Sequence, residues 1–316
     1  MANKLRLQVP EEWERWAHKH QPYERDPERG ISYREVERDA VLLQRPHKYP
    51  RLWLPTGHIV PMPVRGGARV FVRASSQYLE TSSPVVTAAA FTMACWANAA
   101  SDPAGSATLI SLNNNTGAIH YFHLGVRFQD AGNPVRFTTV ATGASGAATT
   151  STGVTVGTWF HGCAVEESTT ARAAFLNGGS EGTNASNLTP NGINTQAVGR
   201  WPSSTPALYW DGDLAEAAIW NVALSDADVA IAAKSVSPLL APHPESLVFY
   251  CPIIGSYSPE IDVIGSINMT VTGATKSAHP RVFYPPRRSK MPFVITGGAP
   301  PAYTPSTSRS LMGVGV

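Results

Sequence analysis

The sequence has little of what disulfide-rich or membrane-spanning proteins depend on. It contains only three cysteines in 316 residues, and the odd number argues against a disulfide framework. Cys95, Cys163 and Cys251 each lie in a strand-like run, where cysteine commonly acts as a small buried hydrophobe. No apolar run reaches the length of a membrane span, so no membrane is expected among the partners. The first residues, MANKLRLQVPEEWERW, lack the apolar core of a signal peptide, and secretion by that route is not expected.

Charged residues are also scarce, at 15% of the chain, and they are unevenly distributed. Residues 1–65 hold 12 basic and 9 acidic side chains, whereas residues 66–280 hold 8 basic and 14 acidic ones. Residues 281–316 hold 5 basic side chains and no acidic ones. A wholly basic protein would point to nucleic acid. This distribution instead predicts basic arms that lie on acidic protein surface, including that of a neighbouring copy, with no direct nucleic-acid contact.

Proline-rich segments at both ends predict an extended arm and a tail around one central domain. Residues 1–66 combine dense charge and proline with two short helix candidates, PEEWERWAHKH and SYREVERDAVLLQR. We interpret Trp13, Trp16 and Trp53 as anchors by which this arm presses into a groove of a neighbour. Residues 281–316 are again basic and proline-rich and cannot bury a core of their own. The central domain is therefore predicted to span residues 67–280.

The central domain is predicted to be all-β. From Ala68 onward, short runs rich in Val, Thr, Phe and Trp alternate with clusters of Gly, Asn and Ser. Many short strands of this kind predict a two-sheet antiparallel sandwich or jelly roll in which the two inner faces are buried together. The stretch ATGASGAATTSTG is either a loop or a set of flat strands whose register is weakly fixed. The segments ESLVFYC and INMTVTG extend the sandwich beyond it.

Four stretches carry a family resemblance. The last of them, GDLAEAAIWNVALSDADVAIAA, predicts a strand from Gly212 to Asn221. A short helix follows, with Ser225 as N-cap and Asp226 and Asp228 in its first turn. The other three, in order along the chain, are SSQYLETSSPVVTAAAFTMACWANAA, GTWFHGCAVEESTTARAAFLNGG with an Asn-Gly hairpin turn, and INTQAVGR.

Together these stretches resemble the laminin-G-like, concanavalin A-like jelly-roll family over roughly residues 68–235. Two positions depart from the pattern, since Gly162-Cys163 replaces a small aliphatic pair and Ala215 stands where aspartate is frequent. The second departure weakens any polar or metal-binding role that the family would imply. The extension after the jelly roll, followed by a basic proline-rich tail, looks similar in layout to structural proteins of tailed bacteriophages.

Few carboxylates qualify as catalytic. A retaining glycoside hydrolase needs two carboxylates about 5 Å apart in one groove. Glu166 and Glu167 are adjacent, so on a strand they point to opposite faces. Asp211 and Asp213 can share a face, but they flank a turn glycine, where aspartate is common for backbone reasons. We therefore expect no enzymatic activity and no cofactor.

Calcium is the ion that the family resemblance favours most, since many members bind it through loop oxygens. The candidate loops are SLNNNTG and QDAGNP, but asparagine and aspartate are also ordinary turn residues. His120 and His123 lie three positions apart in a strand-like run and so face opposite ways, which argues against chelation. No metal is assigned.

A sugar site requires exposed aromatic rings beside polar groups. The stretch GRWPSSTPALYWDG provides Trp201, Tyr209 and Trp210 as candidate glycan or subunit contacts. Alternation along a strand places at least one of Tyr209 and Trp210 in the core, so Trp201 is the best surface candidate.

These observations predict a non-enzymatic structural protein in the virion of a tailed phage, either a capsid decoration protein or a head fibre. Such a protein is made in the host cytoplasm and is attached through its arms to the major capsid protein or another virion protein, as a homo-oligomer. The alternative is a lectin-like adhesion module that binds a surface glycan. A second alternative is a glycoside hydrolase of the jelly-roll type.

Overall fold

The computed structural model describes the backbone of residues 51–53 and 59–61, together with residues 67–117, 119–265, 267–280 and 282. Strands β1 (Arg51–Trp53) and β2 (Ile59–Pro61) form an antiparallel pair. Trp13 and Trp16 lie outside the described residues, and the Trp53 side chain is not described. The anchoring role of the three tryptophans, and the extended form of the arm and tail, stay predictions.

Fifteen further described strands form two antiparallel sheets, as the sequence predicts. In chain order they are β3 (Ala68–Phe71), β4 (Tyr78–Thr81), β5 (Phe91–Ala99), β6 (Ser106–Asn113), β7 (His120–Arg127), β8 (Pro134–Ala141), β9 (Ala144–Gly153), β10 (Phe160–Ser168), β11 (Ala171–Leu176), β12 (Gly179–Asn184), β13 (Thr195–Val198), β14 (Gly212–Trp220), β15 (Leu247–Cys251), β16 (Thr270–Thr272) and β17 (Thr275–Ser277).

The strand order is that of a jelly-roll sandwich. One sheet has eight strands in the order β12-β11-β10-β5-β14-β3-β17, with β15 pairing with the part of β14 beyond β3. The other has seven strands in the order β16-β4-β13-β6-β7-β8-β9. Each sheet combines hairpins of consecutive strands with pairs such as β5-β14 and β13-β6, which are far apart in sequence.

The core lies between the two sheets and is built from alternate residues of the central strands. Phe91 of β5 meets Phe122 of β7 edge to face, with ring centroids 4.9 Å apart, and all three rings of Phe91, Phe122 and Phe137 are fully buried. Aromatic pairs of this geometry add about 1 kcal/mol to the stabilisation from buried area. The three cysteines are free and buried, and burial raises the pKa of each thiol, in agreement with the structural role predicted for them.

A helix closes the outer face of the eight-stranded sheet. Helix α1 (Asp226–Ala232) begins at Ser225, whose Oγ accepts a bond from the Asp228 N–H while the Asp228 carboxylate accepts from the Ser225 N–H. The strand-to-helix switch and the N-cap Ser225 are as predicted, and the structure adds the reciprocal bond that makes a capping box. The helix buries Val229 and Ala232 in a second apolar cluster. With them are Trp220 of β14 and Tyr250 of β15.

The small-residue stretch ATGASGAATTSTG, for which the sequence leaves two alternatives open, forms the edge strand β9. Its composition follows from how closely the two sheets approach at this edge. A Cβ on Gly182 of β12 would lie 1.8 Å from the Thr149 carbonyl oxygen, and one on Gly146 would lie 2.4 Å from Asn184 Oδ1. Larger side chains would force the edges of the two sheets apart.

Strands β11 and β12 are joined by the two residues Asn177 and Gly178, with φ values of +55° and +74°. Two positive φ angles in a two-residue loop define a hairpin turn that asparagine and glycine accommodate best, as the sequence predicts. Among the described residues, no helix has the length and apolar character needed to cross a membrane.

Candidate functional site

The two outer faces of the sandwich differ in what covers them. Helix α1 and the 3-10 turn Pro238–Leu240 pack on the outer face of the eight-stranded sheet, where Ala94, Cys163 and Trp220 are buried beneath them. The outer face of the seven-stranded sheet instead presents partly exposed aromatic and polar side chains along β7 and β8. A ligand that binds the sheet surface can therefore reach the seven-stranded side more readily.

Alternation along β7 and β8 creates this second surface. Phe122 and Leu124 of β7, like Phe137 of β8, point into the core, so the residues between them point outward. The outward residues pair across the two strands, His123 with Thr138 and Gly125 with Arg136. We call the outward set, completed by an aromatic residue from a loop, the Trp201 face; its members are Tyr121, His123, Arg136, Thr138 and Trp201.

Trp201 reaches this surface from the loop between β13 and β14. Its N–H and carbonyl exchange hydrogen bonds with Ala207, at 2.9 and 3.1 Å, which closes the neck of the loop. The Ser111 hydroxyl of β6 donates to the Arg200 carbonyl at 2.9 Å and ties the loop to the sheet. The indole consequently lies over β7, with its centroid 5.2 Å from the Tyr121 ring at an interplanar angle of 68°. These hydrogen bonds fix the loop that presents Trp201 to Tyr121.

Arg136 is the cation of the Trp201 face. Its Nε is shielded from solvent and has no hydrogen-bond partner. Burial, with a further contribution from the nearby Arg127 charge, lowers the Arg136 pKa. Arg127 itself pairs with Asp130, with Nη2 3.3 Å from Oδ1.

His123 is neutral at physiological pH. Burial, with smaller contributions from the charges of Arg136 and Arg127, lowers its pKa to about 4. Its Nε2 lies 3.0 Å from the Thr108 hydroxyl of β6. For Tyr121, burial raises the pKa of the phenol and the Arg136 charge opposes that rise. The Trp201 face therefore combines two aromatic rings, neutral polar groups and a cation.

A second aromatic group lies beside Arg200. The Arg200 guanidinium carbon is 3.5 Å from the centroid of the Tyr78 ring, and its Nε donates to Glu80 at 3.1 Å. Tyr209 lies near Tyr78, with ring centroids 6.4 Å apart. Since Arg200 already has both an aromatic and an anionic partner, this group is internally satisfied.

The three aromatic residues predicted as contacts do not form one surface. Trp201 is partly exposed on the Trp201 face, and Tyr209, also partly exposed, belongs to the group around Arg200. Trp210 has to be removed from the predicted set, because it is 0% exposed and packs in the core against Phe128 and Phe160.

Sequence reasoning missed Tyr121, Arg136 and Thr138 as members of the surface. Their alternation with core phenylalanines in YFHLGVRF and VRFTTV was a usable signal for their outward direction. What the sequence could not show is that a loop about 80 residues later brings Trp201 over Tyr121.

Three of the four carboxylates considered for catalysis are engaged in structural bonds, and the fourth, Glu167, is exposed. Asp211 accepts from the Arg73 N–H at 3.2 Å and from the Ser101 hydroxyl, and Asp213 accepts from the Asn98 amide at 3.2 Å. Glu166 is buried and paired with Arg172. These bonds are the backbone and packing roles that the sequence favours for them.

The loops considered for calcium also use their side-chain oxygens locally. In SLNNNTG, Asn114 Oδ1 accepts from Thr116, and in QDAGNP, Asp130 pairs with Arg127. Among the described residues, no group of three or more His, Cys, Asp or Glu side chains is arranged to hold a metal ion.

Comparison with known proteins identifies the family. A laminin G family model, described as the concanavalin A-like lectin/glucanases superfamily, matches residues 73–230, which is half of the chain. The chain belongs to this superfamily. A search of curated proteins found no match.

Among solved structures, the chain is similar to a protein of Bacteroides ovatus described as a candidate carbohydrate binding protein. The TM-score is 0.52 at 17% identity, over 71% of this chain and 64% of that one. It is also similar to a heptameric SAP-like pentraxin of Limulus polyphemus, with a TM-score of 0.50 at 13% identity, over 69% and 97% of the two chains. This chain thus spans less than two thirds of the Bacteroides protein. At these identities the likeness shows the fold alone.

Proposed function

We propose that this chain is a non-catalytic module that binds carbohydrate through the Trp201 face. The observation that carries the proposal is the aromatic pair formed by Tyr121 of β7 and Trp201 of a hydrogen-bonded loop, on the same sheet surface as the side chains of Arg136 and Thr138. Sugar rings present apolar C–H faces that pack on aromatic rings, and their hydroxyls need polar partners at the edge of that contact. The Trp201 face offers both kinds of group on one sheet surface.

The family and fold support this proposal. The superfamily includes lectins by its description, and the similar Bacteroides ovatus structure is described as a candidate for carbohydrate binding. A binding role also agrees with the structural bonds made by Asp211, Asp213 and Glu166, which leave those carboxylates committed to the fold. These carboxylates would have to break those bonds to act on a glycosidic link.

The test is a glycan array followed by calorimetric titration of the best ligands. We expect saturable binding by the full chain and a loss of at least tenfold in affinity for Trp201→Ala and for Tyr121→Ala, because aromatic side chains that a ligand covers dominate binding energies. Trp159→Ala is the matched control, since Trp159 is a partly exposed tryptophan on the eight-stranded sheet side.

Melting temperatures of all three variants would establish that the fold is intact. Absence of saturable binding to any glycan, or binding that survives both substitutions on the Trp201 face, would refute the proposal.

We keep the virion structural role as a second proposal, because the charge distribution favours it. The last 36 residues carry 5 basic and no acidic side chains, while residues 66–280 carry an excess of 6 acidic ones. Basic arms of this kind would bind acidic surface of a capsid protein or of a neighbouring copy.

The attachment proposal predicts association that weakens as salt is added, because exposed charges are screened within about 10 Å at 0.1 M salt. Sedimentation of the full chain and of a variant lacking residues 281–316, at low and high salt, would measure it. Monomers of the full chain at low salt would argue against self-association through the tail.

A further inference from the structure

Arg136 differs from the other arginines whose side chains are described. Each of the others has a hydrogen-bonded partner: Arg69 with Glu260, Arg73 with two backbone carbonyls, Arg127 with Asp130, Arg172 with Glu166, and Arg200 with Glu80. Within the described part of the chain, Arg136 makes no hydrogen bond or ion pair, and its shielded Nε is unsatisfied.

The surroundings of Arg136 leave its charge uncompensated. The ionisable groups that act on it are Arg127, Asp130 and Tyr121. Asp130 is occupied by Arg127, and Tyr121 is an uncharged phenol at neutral pH, with a pKa that burial raises. One net positive charge therefore remains on the same sheet surface as Tyr121, close enough to act on its phenol.

The position of Arg136 gives a ligand access to that charge. Its cross-strand partner on β7 is Gly125, which has no side chain to contact the guanidinium, and its partner on β9 is the exposed Thr149. A guanidinium has five N–H donors in a planar fork that matches the oxygens of a carboxylate or sulfate. Holding it partly out of water without such a partner is unfavourable, whereas pairing it with an anion is favourable.

We propose that the Trp201 face selects an anionic sugar unit, whose carboxylate or sulfate group binds Arg136 while its ring packs on Trp201 and Tyr121. This inference rests on the proposed carbohydrate-binding function and specifies the class of ligand. The acidic group would supply the counter-charge that no described residue provides.

The experiment compares sugars that differ only in the acidic group. One pair is galactose oligomers with galacturonate oligomers, and the other is the same oligosaccharide without and with sulfate. Each is titrated into the full chain at 0.15 M salt. We expect the acidic member of at least one pair to bind at least tenfold more tightly. Tighter uronate binding would assign a carboxylate, and tighter binding of the sulfated sugar a sulfate. The preference should fall as salt is raised, because the interaction is electrostatic.

Two variants locate the effect. Arg136→Gln should remove the preference for the acidic member of each pair, because the guanidinium charge is then absent. Lys234→Gln removes a positive charge from an exposed residue just beyond α1, and it should leave the preference unchanged. Trp201→Ala should weaken both members of each pair.

The outcomes separate this inference from the function on which it rests. Equal binding of acidic and neutral sugars by the unmodified chain would overturn the inference and leave carbohydrate binding in place. Binding of neither would overturn both. The preference of the unmodified chain is decisive even if Arg136→Gln fails to fold.

Discussion

Arg172 and Glu166 form an ion pair in the interior of the sandwich, with Nε 3.1 Å from Oε2 and side chains that are 0% and 1% exposed. The pair joins β10 to β11, and Thr139 of the opposite sheet donates to the same carboxylate at 2.8 Å. It therefore links the two sheets by polar bonds at a place where the rest of the core is apolar. Burial raises the Glu166 pKa, and the bonds from Arg172 and Thr139 oppose that rise.

We expect Arg172→Met to destabilise the fold by roughly 3–5 kcal/mol, because it leaves a buried carboxylate without its counter-charge. The double variant Arg172→Met with Glu166→Leu should recover much of that loss, since both charges are then absent. Urea unfolding of the two single variants and the double variant measures the coupling. Arg127→Met, which breaks the exposed pair with Asp130, is the control and should cost less than about 1 kcal/mol. Additive costs in the Arg172 and Glu166 variants would contradict the expectation.

Two buried histidines should make the fold sensitive to mild acid. Burial lowers the pKa of both His123 and His161 from 6.5 to about 4. The unfolded chain therefore binds protons at a higher pH than the folded chain, and stability should be complete above pH 6.5 and fall as the pH drops toward 4. A pKa difference of this size between the folded and unfolded chain corresponds to roughly 3 kcal/mol of folding stability for each histidine.

Urea unfolding between pH 7.5 and 4 measures this slope. The double variant His123→Gln with His161→Gln should show a flatter dependence over that range, whatever its absolute stability. An unchanged slope in the double variant would assign the acid sensitivity to other groups.

The turn glycine Gly178 should tolerate no side chain. Its φ is +74°, and a Cβ there would lie 2.7 Å from the Ala230 Cα of helix α1. We expect Gly178→Ala to lower the free energy of unfolding by at least about 1 kcal/mol, from backbone strain alone. The next residue is the matched control, because a Cβ on Gly179 would meet no atom within 4 Å. Thermal unfolding of the two variants should show a loss only for Gly178→Ala, and equal melting points would show that the turn relaxes freely.

The sequence predicts those parts of the fold that depend on residues close to one another along the chain. Alternation identified the strands, Asn177-Gly178 identified the hairpin, and Ser225 with Asp228 identified the helix start, because each signal involves residues a few positions apart. The pairing of strands that are distant in sequence has no such local code. The contact of Trp201 with Tyr121 depends on β13 pairing with β6 and on β6 pairing with β7.

The N-cap of α1 can be tested by removing one hydroxyl. Ser225→Ala loses the acceptor for the Asp228 N–H, and the capping box cannot form without it. We expect a loss of about 1 kcal/mol in the free energy of unfolding. Ser225→Asp restores an acceptor at the same position and should recover most of that loss. If both substitutions are equally destabilising, packing of the side chain rather than capping is responsible.

Trp210 and Trp201 should respond to truncation in opposite ways. Trp210 is 0% exposed between Phe128 and Phe160, so Trp210→Ala should cost about 3–5 kcal/mol of stability by leaving a large cavity. Trp201 is partly exposed and contacts Tyr121 at the surface, so Trp201→Ala should cost less stability and mainly weaken sugar binding. Urea unfolding and titration with the same glycan would be measured on both variants.

A Trp210→Ala variant that still folds should keep most of its affinity, because the Trp201 loop is held by its own bonds to Ala207 and Ser111. Loss of affinity in Trp210→Ala, with Trp201→Ala unaffected, would place the binding surface elsewhere on the molecule.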